Sequence, residues 1–166
     1  MFRKMRRAGQ QLPREEAFEI LKNGKTGVLA VLGDEGYPYA VPLNYALVGD
    51  CIYFHCARDG HKTDALGRNS KVSFCVVEKD TVIPQIFSTD YRSSIVFGQA
   101  RIVEEDAVKR GALLALVEKY GPAYRKDGAK EIEAEWNRVT IVEIRIEHLT
   151  GKEAGKRVKS FCKQEG

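Results

Sequence analysis

Between residues 37 and 77 the sequence gathers the side chains best suited to chemistry: Asn44 and Tyr45 behind a proline in YPYAVPLNYALV, His55 and Cys56 closing CIYFHC, and Arg58, His61 and Lys62 around Gly60 in ARDGHK. A phosphate dianion taken out of water is costly unless charged donors replace its hydration. Arg58, His61 and Lys62 fall within five residues, and Gly60 would let the backbone come close. Such a loop suits a phosphate, and it suits a solvated turn equally well. A phosphorylated aromatic headgroup also wants a flat apolar platform with hydrogen-bonding groups along its polar edge. Pro42 has no N–H for a strand ladder, so the backbone of residues 43–45 can face a ligand, unless PLNY is an ordinary edge strand. His55 can donate a proton or position a substrate, or it is a satisfied histidine of the core. Trp136, the lone tryptophan, either caps a ring or anchors its own helix.

Other chemistries have little support. No GxGxxG or GxxxxGK[ST] pattern competes for the phosphate role, and no GxSxG elbow with triad partners is visible. His55, His61 and His148 lack the carboxylate or cysteine spacing of a metal site, so no metal is expected. Cys51, Cys56, Cys75 and Cys162 show no CxxC spacing, and three of them sit in apolar runs where a thiol acts as a small hydrophobe. Zinc and structural disulfides are not expected.

The elements that must position these groups alternate little between helix and strand. REEAFEILKN (14–23) has one apolar side, with Pro13 to open the helix and Gly24 to close it. TGVLAVL (26–32), the GDEG turn and residues 37–48 read as a hairpin whose returning strand is demoted toward an edge or bulge by Pro38 and Pro42. CIYFHC (51–56) follows, with Ile52, Phe54 and Cys56 on one face and Cys51, Tyr53 and His55 on the other. HKTDALGRN is a brief helix and VSFCVV (72–77) a buried strand. Residues 79–92, with Pro84 and little periodicity, read as a long excursion. SSIVFGQARIV (93–103) is a strand in which Gly98 marks a bulge or a close backbone approach. Two helices follow, EEDAVKRGALLALVEKYG (104–121) and AKEIEAEWN (129–137), and VTIVEIRIEHLTG (139–151) is the last strand. Six strands joined mostly by tight turns, with inserted helices, predict a mainly β protein: an antiparallel barrel rather than a doubly wound parallel sheet.

At 166 residues and 43% hydrophobic content, one domain spanning 1–166 is expected. Its formal charge of +4 is concentrated in basic tails, residues 1–12 and 152–166, which read as solvated or as contacts for an anionic partner. No apolar run reaches the roughly 18 residues of a membrane span, and MFRKMRRAGQQ has no hydrophobic region behind its charges. A cytoplasmic protein without a membrane partner is expected. Nucleic acid is a weaker candidate, since no basic patch is interleaved with aromatics.

Taken in order, MFRKMRR, GYPYAVPLNYALVGDCIYFHCARDGHKTDAL, NSKVSFCVV, TDYRSSIVFGQARIV and IEHLTGK make the chain resemble the flavin-binding split-barrel superfamily that contains pyridoxamine 5′-phosphate oxidase, and within it the nitroimidazole-resistance branch. The resemblance implies a six-stranded split barrel that pairs as a homodimer, with FMN in the grooves between subunits. It implies that Pro42, Leu43, Asn44 and Tyr45 run along the flavin ring, that His55 and Cys56 lie beside it, and that His61 and Lys62 bind the phosphate. It implies that Tyr91, Arg92, Ser93 and Ser94 come from the partner subunit to close the groove, with Trp136 as a candidate ring cap, and that His55 acts on the substrate. An FMN-dependent oxidoreductase is therefore expected, drawing on NADH or NADPH and reducing a small planar or nitroaromatic acceptor. The alternative is a non-catalytic flavin- or haem-binding sensor or store. An Arg-Lys phosphate pair and an arginine-rich C-terminal motif belong to the pyridoxamine oxidase itself. This chain has His61-Lys62 and no such motif after Trp136, so vitamin B6 oxidation is not expected.

Overall fold

In the computed structural model, which describes residues 1–164, eight strands and five helices follow one another along the chain. The strands are β1 (Gln11–Leu12), β2 (Thr26–Leu32), β3 (Pro38–Asn44), β4 (Ala46–Val48), β5 (Cys51–Ala57), β6 (Lys71–Ile83), β7 (Ser88–Ile102) and β8 (Val139–Glu153). The helices are α1 (Arg14–Asn23), α2 (His61–Arg68), α3 (Asp106–Tyr120), α4 (Arg125–Glu135) and α5 (Lys156–Gln164). Every strand pairing is antiparallel.

The strand order is β3-β2-β6-β7-β8-β5-β4, with β1 added against β8. β3 and β4 thus stand at opposite ends of the sheet, yet only Tyr45 separates them in sequence. A single residue spans a few ångströms at most, so the sheet must curl until its two ends meet. The result is a barrel with one open seam, crossed by the chain at Tyr45.

The interior is filled by the side chains that alternation predicts. Leu29, Ile52, Phe54, Phe74, Val76, Val96, Val142 and Ile144 form one buried cluster, into which α1 inserts Ile20 and Leu21. A second cluster lies outside the barrel wall, where Cys51, Tyr53 and Ile141 meet Ala112 and Leu113 of α3 and Ile132 of α4. The expected split of the third long strand therefore holds: Ile52, Phe54 and Cys56 face the barrel, while Cys51 and Tyr53 face the helices.

Three features differ from the sequence expectation or refine it. The strand count is eight rather than six, because Tyr45 breaks residues 37–48 into β3 and β4 and because Gln11–Leu12 adds a short strand. Residues 79–92 are not an excursion but the ends of β6 and β7, paired from Lys79↔Arg92 to Ile83↔Ser88 around the turn Pro84–Ile86. Residues 77–82 are exposed on both faces of this arm, so no apolar alternation announced it. At its turn, Phe87 adopts φ 49° and is almost fully exposed. The basic C-terminal segment is not simply a tail: β8 extends to Glu153, and α5 seats Val158 against Ile83 and Ala154.

Gly98 fulfils both of its predicted roles. The β7–β8 register shifts between Phe97 and Gly98, and a Cβ at Gly98 would lie 2.3 Å from the carbonyl oxygen of Arg145. Since the obstacle is backbone in the centre of the sheet, Gly98→Ala should destabilise the protein by about 2 kcal/mol in urea unfolding. A loss under about 0.5 kcal/mol, the range of ordinary surface changes, would show that the two strands can move apart.

Candidate functional site

Tyr45 fixes the seam from inside. Its ring is buried edge-on to Phe74, at 4.9 Å between centroids, and its hydroxyl donates to the Leu21 carbonyl of α1 at 2.5 Å. Outside, the last residue of α3 reaches across the gap. The Tyr45 N–H donates to the Tyr120 hydroxyl at 3.0 Å, while that hydroxyl lies 2.6 Å from the Lys25 carbonyl and 2.9 Å from the Tyr45 carbonyl. The Tyr120 proton serves one of these carbonyls at a time. Asn44 joins the same junction, its amide nitrogen donating to the Lys25 carbonyl at 3.0 Å.

Lys119 completes this junction in an unusual way. Its ammonium lies 3.8 Å from the centre of the Tyr45 ring and is buried without a hydrogen-bond acceptor. Burial lowers its pKa from the ordinary lysine value to about 8. The aromatic face offers a partial substitute for the lost hydration.

Beneath α3 and α4 the same junction opens into a cavity of about 620 Å³. Its sheet side carries Asn44, His55, Cys56 and Ala57, and its helical side carries Leu113, Leu116, Val117 and Tyr120 of α3 with Glu131, Ile132 and Glu135 of α4. Arg138 and Val139 close one end. Although neighbours in β5 point to opposite faces, His55, Cys56 and Ala57 at the strand's end all line this space. The Cys56 thiol is pushed up by burial, an effect opposed by the nearby charge of Lys62.

Lys62 stands near Cys56, on the first turn of α2. Its ammonium lies 5.4 Å from the centre of the Phe54 ring, and among the described residues no carboxylate comes within 4.0 Å of it. The preceding Gly60 takes φ 144°, a conformation natural to glycine, and a Cβ there would meet nothing within 4 Å. The Gly60 carbonyl accepts from the Thr63 hydroxyl at 2.7 Å and from the Asp64 N–H at 3.0 Å. That leaves the first amides of α2 without intrahelical acceptors, beside a free cation and open space.

The remaining predicted residues lie elsewhere. His61 stacks on Tyr39 at 4.2 Å and accepts the Asp34 N–H at 3.4 Å, at the β2–β3 turn. Pro42 and Leu43 belong to β3, where Leu43 packs on the barrel core and Pro42 is exposed. On β7, Arg92 is ion-paired to Glu16 and Glu78, and the buried Ser94 hydroxyl donates to the Ala17 carbonyl at 2.7 Å. Tyr91 donates to Gln10 at 3.1 Å, and Ser93 is half-buried opposite Lys152. The Trp136 ring takes the Lys109 ammonium at 4.6 Å and the Arg110 guanidinium at 4.8 Å, so it secures α4 to α3. Arg58 borders a separate cavity, with Lys109 and Trp136.

Sequence reasoning passed over Leu113, Leu116, Val117 and Tyr120. Their i, i+3, i+4, i+7 spacing was a legible signal, but it marks a helix face without saying what that face covers. Lys119 gave no signal at all.

This fold and cavity correspond to known proteins. The profile of the family described as pyridoxamine 5′-phosphate oxidase matches residues 13–153, nearly the whole chain. The chain belongs to that family. No curated protein sequence matches it. Among solved structures, a Bacteroides thetaiotaomicron protein provisionally assigned to 5-nitroimidazole antibiotic resistance is similar at 23% identity and TM-score 0.68, over 86% of this chain and 85% of that one. A conserved hypothetical protein of Mycobacterium tuberculosis has TM-score 0.78 at 23% identity, over 90% of each chain. A FAD- and haem-binding protein of Mycobacterium smegmatis has TM-score 0.73 at 24% identity, over 88% of this chain and 73% of that one. These likenesses confirm the mainly β split-barrel fold. No helix among the described residues is long and apolar enough to cross a membrane.

Lys119 carries a pH signature of its own. Its folded-state pKa of about 8 lies below the ordinary lysine value near 10.4, so between these limits the unfolded chain binds more protons and stability rises with pH. The penalty is fully present below about pH 8 and is relieved as pH climbs toward 10. Lys119→Met should therefore be most favourable relative to the parent at pH 7, with the advantage shrinking by pH 10 in urea unfolding. A stability difference that does not change with pH would contradict a desolvated amine.

Proposed function

We propose that the protein is an FMN-dependent oxidoreductase acting as a homodimer. The observation that carries this reading is the convergence of Asn44, His55 and Cys56 on one largely apolar cavity, with the unpaired Lys62 and the first turn of α2 beside it. These residues fit a phosphorylated planar cofactor. Lys62 and the α2 amides suit its phosphate. Leu113, Leu116 and Val117 offer an apolar wall, and Asn44, its amide nitrogen committed to Lys25, keeps its oxygen as an acceptor. When bound, a flavin supplies two-electron chemistry that no side chain here can perform. The chain's part is to orient, to exclude water and to place His55, exposed at the end of β5, where it can position or protonate an acceptor. The electrons come from NADH or NADPH, and the acceptor is a small planar or nitroaromatic compound.

A second copy has a surface to occupy. Pro42, Val28, Cys75 and Ile95 lie in one row across β3, β2, β6 and β7 on the outer face of the sheet. Val28 and Ile95 are each 39% exposed, Val77 extends the patch at 57%, and Phe97, stacked on Phe2, stays 41% exposed. An apolar row of this extent, left open by the single chain, is suited to a subunit interface. Tyr91 and Ser93 border the same stretch of β7, which is the region expected to meet the partner.

One observation favours a second reading, a haem-binding or flavin-storing protein. His55 presents an exposed imidazole to the cavity, and the M. smegmatis neighbour is described as binding both FAD and haem. The visible spectrum of freshly purified protein separates the two, and oxidation of NADH or NADPH with an added nitroaromatic tests turnover. Lys62→Glu should give a folded but colourless protein if its ammonium holds the phosphate. A variant that purifies as yellow as its parent would remove that role.

A further inference from the structure

We propose that the cavity selects its acceptor by charge: it admits small planar aromatics that are neutral or carry a cationic substituent, and disfavours those bearing carboxylate or phosphate. This rests on the proposed function, in which the flavin and its acceptor share this cavity, and names the class of compound taken at its α4 side.

The shape comes first. Leu113, Leu116, Ile132 and Val139 supply apolar walls on both sides of the space, which suits a flat ring better than a polyol or a peptide. The helix above it is held at a defined height. A Cβ at Gly128 would lie 2.7 Å from a methyl of Val117, so only glycine lets α4 approach α3 this closely.

Charge then decides what the ring can carry. Glu131 and Glu135 sit one helical turn apart and both line the cavity, with Arg138 beyond them. Arg138 lies 3.3 Å from Glu135, and that pair largely cancels. Glu131 has no cation within 4.0 Å among the described residues. Lys119 is turned onto the Tyr45 ring and does not line the space. Lys62 does not line the space either and is assigned to the cofactor phosphate. What faces a substituent at the α4 side is therefore a single uncompensated carboxylate. A phosphorylated substrate would find there no free cation to replace its hydration. A substituent that donates hydrogen bonds or carries positive charge would find an acceptor.

Three nitrobenzenes that differ only in one para substituent, trimethylammonium, hydroxymethyl or carboxylate, test the inference. Binding is measured by calorimetry on the protein as purified, at pH 8, where an ordinary histidine is neutral, and at low salt. The cationic compound should bind about threefold more tightly than the neutral one, and the carboxylate about threefold more weakly, the range expected for a partly solvated charge. Glu131→Gln should compress this spread and Glu131→Lys should invert it. Equal or tighter binding of the carboxylate to the parent protein would overturn the inference, as would an order unchanged in Glu131→Lys or failure of all three compounds to bind. The flavin content of the same samples is recorded separately. Its absence would end the flavin reading, while the binding order would still decide the charge preference.

Discussion

The hydroxyl of Tyr120 touches both sides of the seam at which the two ends of the sheet meet. The strand order obliges the chain to cross from one end of the sheet to the other in a single residue, and Tyr45 cannot satisfy its peptide groups from neighbouring strands while it does so. A buried N–H or carbonyl without a partner is expensive. Tyr120 supplies an acceptor for the Tyr45 N–H and a donor shared between the Lys25 and Tyr45 carbonyls. Because Tyr120 ends α3, this one contact fixes where the helix runs, and with it the wall of the cavity.

Much else depends on that placement. Leu113, Leu116 and Val117 face the cavity because α3 is packed on Tyr53 and Ile141 and held at its far end by Tyr120, and α4 follows through Trp136 and the close approach at Gly128. β5 divides its labour between two environments, with Phe54 filling the barrel while Tyr53 anchors the helices and donates to Glu143 at 2.5 Å. Its last residues, His55 and Cys56, emerge where neither core continues. A strand end bordered by two separate cores is a rigid platform on which to hold reactive side chains.

The sequence revealed most where burial imposed a period. β2, β5 and the first half of β6 were legible as β-rich apolar runs bounded by turn residues, and the long helix α3 by its apolar stripe. The arm formed by the ends of β6 and β7 was not, since residues on both its faces meet solvent. The break at Tyr45 was hidden too: PYAVPLN and ALV read as one strand because the residue between them is a tyrosine as apolar as its neighbours, and only the pairing reveals two opposite edges. Among site residues, Asn44, His55, Cys56 and Lys62 were found from type and spacing; the first three line one space, and Lys62 lies near Cys56. His61 was adjacent in sequence but is drawn to Asp34 and Tyr39, because successive residues on a helix point about 100° apart. Ser94 and Arg92 were recognised from a motif, and in the folded chain their polar atoms are committed to α1 and β6. Tyr120 could not be singled out, since its role depends on a carbonyl far away in sequence.

On the proposed function, the tyrosine contact across the seam shapes a cavity that binds a flavin. Titration of FMN into flavin-free protein, parent and Tyr120→Phe in parallel, tests it most directly, with unfolding curves to show that the variant stays folded. The account predicts saturable binding to the parent and binding weaker by about tenfold in the variant, as the loss of one well-made hydrogen bond at the site would give. A parent protein that leaves FMN fluorescence unchanged, or a folded variant that binds FMN as tightly as the parent, would contradict it.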